Sequence, residues 1–192
     1  FGYYALLVVA VSIVMAVLTE YVVKKLRKRA FVMDGSAVIT GLLLALILPP
    51  TVPLWMVAVG SAFSIGIVKE AFGGLGHNIF NPALGGRAFM TASLSVEMTT
   101  WVLPTGFSAD SVTTATPLNS SFIWEGDKLS LYKEMLIGNT AGSIGETSAI
   151  LILSGGLLLL ALGIINWRTP LTYIGTVALL SFVLGQDVIF HL

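Results

Sequence analysis

Asp34-Gly-Ser-Ala-Val-Ile-Thr-Gly-Leu-Leu-Leu-Ala-Leu-Ile-Leu-Pro-Pro50 is the stretch whose reading decides the fold. An acid and a Ser-Ala pair open it, an unbroken apolar run follows, and two prolines stop it. A similar opening recurs at Glu146-Thr-Ser-Ala-Ile-Leu151. Each has an acid, any residue, Ser-Ala and a β-branched residue, followed by glycine and a leucine run (Gly41–Leu44, Gly156–Leu160). Similar segments entering a bilayer from opposite sides are the mark of an inverted-topology repeat. The expectation is an all-α polytopic membrane protein with an inverted-repeat helical bundle.

Composition supports the solvent that this reading needs. Hydrophobic residues make up 56% of the 192, charged residues 10%, and mean hydropathy is +0.92. Soluble domains carry about 25% charged residues, so lipid is the expected surroundings. Apolar runs lie near 3–23, 36–48, 53–68, 88–103, 148–165 and 171–185. A span needs about 20 apolar residues, so 36–48 and 53–68 are short and read as tilted, broken or partly re-entrant. The first residue is not Met and no cleavable signal pattern opens the chain, which reads as a fragment of one transmembrane domain over 1–192. Zero cysteines exclude a disulfide framework and a thiolate-held iron–sulfur cluster. Electrons passing through the chain would need an organic cofactor.

Basic residues orient the runs. Lys24, Lys25, Arg27, Lys28 and Arg29 follow the first run, Lys69 and Arg87 bracket a Gly-rich connection, and Arg168 sits in the turn at 166–170. The positive-inside rule makes all three connections cytoplasmic, and six crossings place them on that side without conflict. Residues 104–146 then form an extracytoplasmic segment. Within it lies Asp110-Ser-Val-Thr-Thr-Ala-Thr-Pro-Leu118, hydroxyl-rich and beside one carboxylate. Such a run is either a solvated loop or a place of attachment, and connections this long are often functional.

Helix ends are legible. Asp34 with Ser36, and Glu146 with Thr147, can cap the second and fifth spans; the same two acids, near the membrane boundary, can instead line an ion route. Asn81-Pro82 is an N-cap and N1 pair that starts a helix. Gly85 and Gly86 thin one face of it for a neighbouring helix or a planar ligand. Arg87 follows, either snorkelling to headgroups or holding a ligand's polar edge or phosphate. Gly138-Asn-Thr-Ala-Gly-Ser-Ile-Gly-Glu146 offers glycines and hydroxyls, Gly142 and Ser143 among them, that can cradle an anion. His77 and His191 lack metal-ligand spacing, and no metal site is expected.

Taken together, Asp34–Ala37, Thr40–Pro50, Gly76–Phe89, Thr113–Leu118 and Gly138–Ala149 resemble the family that holds the D subunits of Rnf electron-transport complexes and the B subunits of sodium-translocating NADH:quinone reductases. The resemblance implies a fold like that of urea transporters, incomplete in this chain. It also implies FMN joined through its phosphate to a threonine by a separate flavin transferase. The attachment pattern, Asp-x-x-Ser/Thr-x-Ala-Thr, is matched by Asp110, Thr113, Ala115 and Thr116, which makes Thr116 the acceptor; Thr114 stands where glycine is frequent. A threonine hydroxyl needs a base or metal to become a nucleophile, and none is evident beside Thr116, which agrees with an external enzyme. Trp101, Phe107 and Trp124 are near enough in sequence to stack on a flavin or to anchor at the interface.

The implied function is electron relay in an ion-translocating ferredoxin:NAD+ oxidoreductase of a bacterial or archaeal cytoplasmic membrane. The chain alone would be inactive and would act with the other Rnf subunits, its transferase and the bilayer; no nucleic acid is expected. Related subunits also imply a second flavin, riboflavin, in the longer protein. The competing readings are a B-type quinone-reductase subunit and a transporter or channel without redox chemistry.

Overall fold

The computed structural model describes residues 1–104, 115–117 and 127–191. Among them the regular structure is helical: α1 (Gly2–Leu26), α2 (Ser36–Leu46), α3 (Leu54–Phe63) running into a π-helical segment (Ser64–Glu70), α4 (Pro82–Ser93), α5 (Ser95–Met98), α6 (Lys128–Ile137), α7 (Ala149–Ala161), α8 (Arg168–Val183) and α9 (Val188–His191). The described chain divides into two compact units, one of residues 1–115 with 141–146 and one of 116–140 with 147–192.

In the first unit α1 is the organising element. At 25 residues it is about 38 Å long, more than the roughly 30 Å of a bilayer's hydrocarbon. Among the described residues it is the one helix long and apolar enough to cross a membrane. By contrast α2, with 11 residues, reaches only about 16 Å, so the shortness read in 36–48 is real. Proline ends it: Pro49 and Pro50 disfavour further helix at the residues before them.

One stripe of α1, Ala5, Val8, Ser12, Ala16 and Glu20, is buried. Its spacing of three and four residues is a single helix face, and three of the five side chains, Ala5, Ser12 and Ala16, are too small to hold a neighbour away. α2 therefore comes in at Gly41, where a Cβ would stand 2.8 Å from the Ile13 Cα and 2.9 Å from the Ser12 carbonyl oxygen. At that crossing the Ser12 hydroxyl donates to the Gly41 carbonyl at 2.7 Å and shares a 2.9 Å hydrogen bond with Ser61 of α3. Leu44, Leu48, Val52, Met56, Val57 and Met90 fill the core beside it.

The fourth apolar run begins earlier than hydropathy alone suggests. Asn81 caps α4 by accepting from the amides of Ala83 (3.0 Å) and Leu84 (3.2 Å), with Pro82 at N1. The two glycines behind it answer the choice between helix and ligand. A Cβ on Gly85 would meet Val68 at 2.8 Å, and one on Gly86 would overlap the Ser64 hydroxyl, so both seat α4 on the helix of 54–70.

The residues Ala141–Glu146 close the C-terminal end of α2. The Ile144 amide donates to the Leu48 carbonyl (3.1 Å) and the Gly145 amide to the Leu46 carbonyl (2.7 Å). The Leu46 carbonyl is among those a helix C-terminus leaves unpaired, and Leu48 lies two residues beyond the helix.

In the second unit Gly138, at φ +103°, caps α6, and Tyr132 of α6 donates to Asp187 at 2.6 Å, ahead of α9. α7 is apolar along its length and has no buried residue. Such a helix is suited to lipid or to apolar protein surfaces.

Replacing Gly41 by Ala should cost about 1–3 kcal/mol through overpacking against backbone that cannot give way. Gly66→Ala is the control, since its Cβ would meet Thr19 at 3.5 Å, an ordinary contact. Thermal unfolding of the purified complex should show a clear loss for the first and little for the second.

Candidate functional site

The residues singled out from the sequence fall in different places. Thr116 is half-buried in an irregular stretch of the second unit, outside any helix. Asp110, Thr113, Thr114, Phe107 and Trp124 lie outside the described residues. Trp101 is half-buried.

Asn81 uses its side-chain oxygen to cap α4. Arg87 is half-buried on α4, one and a half turns in, and makes no ion pair among the described residues. Gly142 and Ser143 belong to the segment that closes α2. The Ser143 amide donates to the Glu146 carboxylate at 2.9 Å, while the Ser143 hydroxyl is fully buried with no described partner.

The two acids do different local jobs. Asp34 accepts from the amide of Ser36 at 2.9 Å and also from its hydroxyl, in the turn ahead of α2; the N-cap position itself is Gly35, and α2 has no side-chain cap. Glu146 does not cap α7. It reaches back to Ser143, and α7 starts at Ala149, with Ser148 at the N-cap position and no side-chain cap. Among the described residues no group of three or more His, Cys, Asp or Glu is arranged to hold a metal ion.

What the sequence reading passed over is a buried charge cluster in the first unit. Glu20 of α1, Lys69 and Glu70 are 3%, 2% and 1% exposed. The Lys69 ammonium donates to Glu20 Oε1 at 2.9 Å and to the Ser36 hydroxyl at 2.6 Å. The Ser36 hydroxyl in turn donates to Asp34, so the lysine is linked to a second carboxylate through one hydroxyl. Lys24, at the exposed margin, pairs with the same Glu20 oxygen at 2.8 Å and feels Glu70 and Asp34 electrostatically. Arg27 donates to the Glu70 backbone carbonyl and Arg29 to that of Gly73 at 3.3 Å. These bonds bring the basic end of α1 and the connection after residue 70 to one end of the unit.

The π-helical segment explains how the cluster can be buried. Val68, Lys69 and Glu70 are consecutive and all buried, which needs packing on several sides. π-Turns are rare, and they frequently occur at functional sites. Glu70 ends the segment with its Oε1 atom buried and unpartnered among the described residues. A sequence signal existed: Glu20 is an ionisable residue inside an apolar span, where such residues are rare and almost always paired.

Among the described residues the regular structure is helical, and the first unit holds a buried ion pair near one end of α1. All 192 residues match the model of the NQR2, RnfD, RnfE family, and the chain belongs to that family. It is 46% identical over its whole length to the D subunit of the proton-translocating ferredoxin:NAD(+) oxidoreductase complex of Clostridium ljungdahlii, covering 63% of that protein. It is 45% identical, again over its whole length, to the D subunit of the Na(+)-translocating ferredoxin:NAD(+) oxidoreductase complex of Acetobacterium woodii, covering 61%. With the D subunit of the ion-translocating oxidoreductase complex of Methanosarcina acetivorans it shares 36% identity over 97% of this chain and 57% of that one. The chain thus spans about three fifths of the length of these relatives.

Lys69→Met should destabilise the protein by about 3–5 kcal/mol, the cost of leaving one member of a buried ion pair behind, and Glu20→Gln should do the same from the other side; thermal unfolding of the complex reads both. A second test concerns pH. Hydrogen bonds from the Ser36 hydroxyl and then its amide hold the Asp34 carboxyl below the usual carboxylate range. A folded-state value below the unfolded one stabilises above the ordinary value of about 3.9, and the gain is lost as pH falls through the lower folded value. The melting difference between wild type and Asp34→Asn should be present at neutral pH and fade in acid.

Proposed function

We propose that this chain is part of the D subunit of an Rnf-type ion-translocating ferredoxin:NAD+ oxidoreductase, carrying FMN esterified to Thr116. The observation that carries this reading is the identity of 45–46%, spread over every residue of the chain, to two relatives bearing that name. The motif formed by Asp110, Thr113, Ala115 and Thr116 supports the attachment point, and the placement of Thr116 outside a helix leaves room for it.

On this reading the chain crosses a bacterial or archaeal cytoplasmic membrane several times, as part of an inverted-repeat, urea-transporter-like bundle. The basic end of α1 and the connection after Glu70 face the cytoplasm, and Thr116 faces outward. A separate transferase makes the phosphoester. The flavin supplies redox chemistry with its ring while the ester only tethers it, and the surrounding protein sets its electronic environment. Thr116 positions the group. Electron donors and acceptors, ferredoxin and NAD+ overall, are handled with the other subunits of the complex, and the longer protein carries a second flavin, riboflavin. Asn81 and Arg87 on α4, and Gly142 and Ser143 beside α2, are the polar groups kept as candidates for contact with the flavins.

The test is a denaturing gel of the complex, produced together with its transferase and viewed for flavin fluorescence. Wild type should show a fluorescent band at this subunit, and Thr116→Ala should lose it while the complex still assembles. A dark wild-type band would overturn the covalent flavin and move a transporter without redox chemistry into first place.

A further inference from the structure

The end of α1 holds a lysine where the backbone favours glycine. The Lys28 amide donates to the Lys25 carbonyl at 3.1 Å and the Arg29 amide to the Lys24 carbonyl at 2.9 Å. That pair of bonds is a Schellman closure, whose left-handed position is usually glycine. Lys28 occupies it at φ +55°, the one positive φ outside glycine among the described residues. A side chain with a Cβ is disfavoured there, so α1 would close more easily with glycine. Lys28 is exposed and has no hydrogen bond or ion pair among the described residues. Its charge therefore does nothing for the described fold.

The basic groups around it form one exposed set. Lys24 is committed to Glu20, but Lys25, Arg27 and Arg29 are exposed. Arg27 gives one guanidinium N–H to the Glu70 carbonyl and Arg29 gives one to that of Gly73. A guanidinium has five such donors, so both are held in place with most of their donors free. Asp34 is the one acid in residues 21–35, and it is already bound by Ser36. The connection of 71–81 that the two arginines hold carries no acid.

Apolar side chains flank these charges in the open. Phe31, Val32 and Met33 are consecutive and exposed, the last two at 65% and 70%, and Phe72 and Leu75 are exposed on the connection. Phe31 meets Tyr21 edge-on at 5.4 Å, and aromatic residues are enriched at membrane–water boundaries. The apolar run of α1 is long enough to fill a hydrocarbon core and ends at Val23. Lys24 to Arg29 then fall at headgroup level.

We propose that this end of the first unit is a seat for an anionic phospholipid. Lys25, Lys28 and the free N–H groups of Arg27 and Arg29 hold the headgroup phosphate, and Phe31 to Met33 enter the acyl boundary beside it. The inference rests on α1 crossing the bilayer, as in the proposed function, and not on the flavin. An acidic protein segment would answer the charge equally well. Lipid is favoured because the exposed apolar side chains are continuous with Tyr21, Val22 and Leu26, which are exposed along the last turns of α1.

The experiment titrates the purified complex, in neutral detergent, with phosphatidylglycerol carrying a photoactivatable group near its headgroup. Label is read by mass spectrometry on peptides of this subunit covering residues 21–35, and native gels report assembly. Wild type should label saturably. Unlabelled phosphatidylglycerol should compete, and phosphatidylcholine and sodium phosphate should not. Lys28→Gly is the decisive variant, because it relieves the left-handed residue. It should unfold no earlier than wild type yet need about fivefold more phosphatidylglycerol for half-saturation, the ratio equivalent to about 1 kcal/mol per basic residue at an anionic surface. Lys25→Gln should weaken labelling by a similar factor, and both effects should shrink in high salt. Competition by phosphatidylcholine or sodium phosphate as strong as by phosphatidylglycerol would overturn the proposal, as would a Lys28→Gly complex that labels like wild type. If that variant sheds another subunit, the seat belongs to a protein partner and the proposal falls. Met33→Cys, treated in closed vesicles with a membrane-impermeant maleimide, checks separately that this end of α1 faces the cytoplasm. Reaction from the opposite side would overturn that orientation, while the titration still decides the lipid.

Discussion

Close approach of α1 to its neighbours is the constraint on which the first unit depends. In lipid there is no water to satisfy a stray polar group and little hydrophobic drive between helices, so packing and internal hydrogen bonds must hold them. The chain meets both needs with one stripe. Small residues on α1 let α2 reach backbone contact at Gly41, and the hydroxyl of Ser12 then lies within reach of both the Gly41 carbonyl and Ser61. The same stripe ends in Glu20, so the geometry that packs the first half of α1 also carries a carboxylate into the protein near its end. Packing and charge placement are two consequences of one face.

The fold was legible where the local chemistry is sufficient. Asn81-Pro82 starts a helix wherever it finds itself, and Pro49-Pro50 stops one. Glycines at 85 and 86 announce a close approach, though only the structure shows that a helix and not a ligand comes close. Where tertiary packing decides, the sequence was silent. Nothing in Ser64–Glu70 as a string marks a π-helix, because the longer hydrogen-bond register is imposed by what surrounds it. Asp34 and Glu146 look alike in sequence and behave differently. The first accepts from a residue ahead of it and the second from one behind, since the Gly-rich segment before Glu146 folds back onto the end of α2.

That segment illustrates how a motif can be read correctly in composition and differently in use. Glycines and free amides before a helix suggest an anion cradle. Here the Gly145 amide meets the last carbonyl of α2 and the Ile144 amide that of Leu48 just beyond it, and Gly145 is glycine because a Cβ would meet Leu46 at 2.8 Å. A short helix in a membrane needs such closure more than a long one does, for its unpaired end lies within the protein and not in water. The polar segment thereby makes the shortness of α2 tolerable.

The same reasoning separates the acids by role. Asp34 is exposed and doubly hydrogen-bonded, and Glu146 is tied to a loop amide, so both have local work that accounts for their charge. Glu20 has two ammonium partners. Glu70 alone among these four has a buried oxygen with no donor among the described residues. A carboxylate whose negative charge is already answered cannot also be a place for a mobile ion without breaking what answers it. Burial without a donor thus sets Glu70 apart from Asp34 and Glu146, whose carboxylates have hydrogen-bond partners close by in sequence.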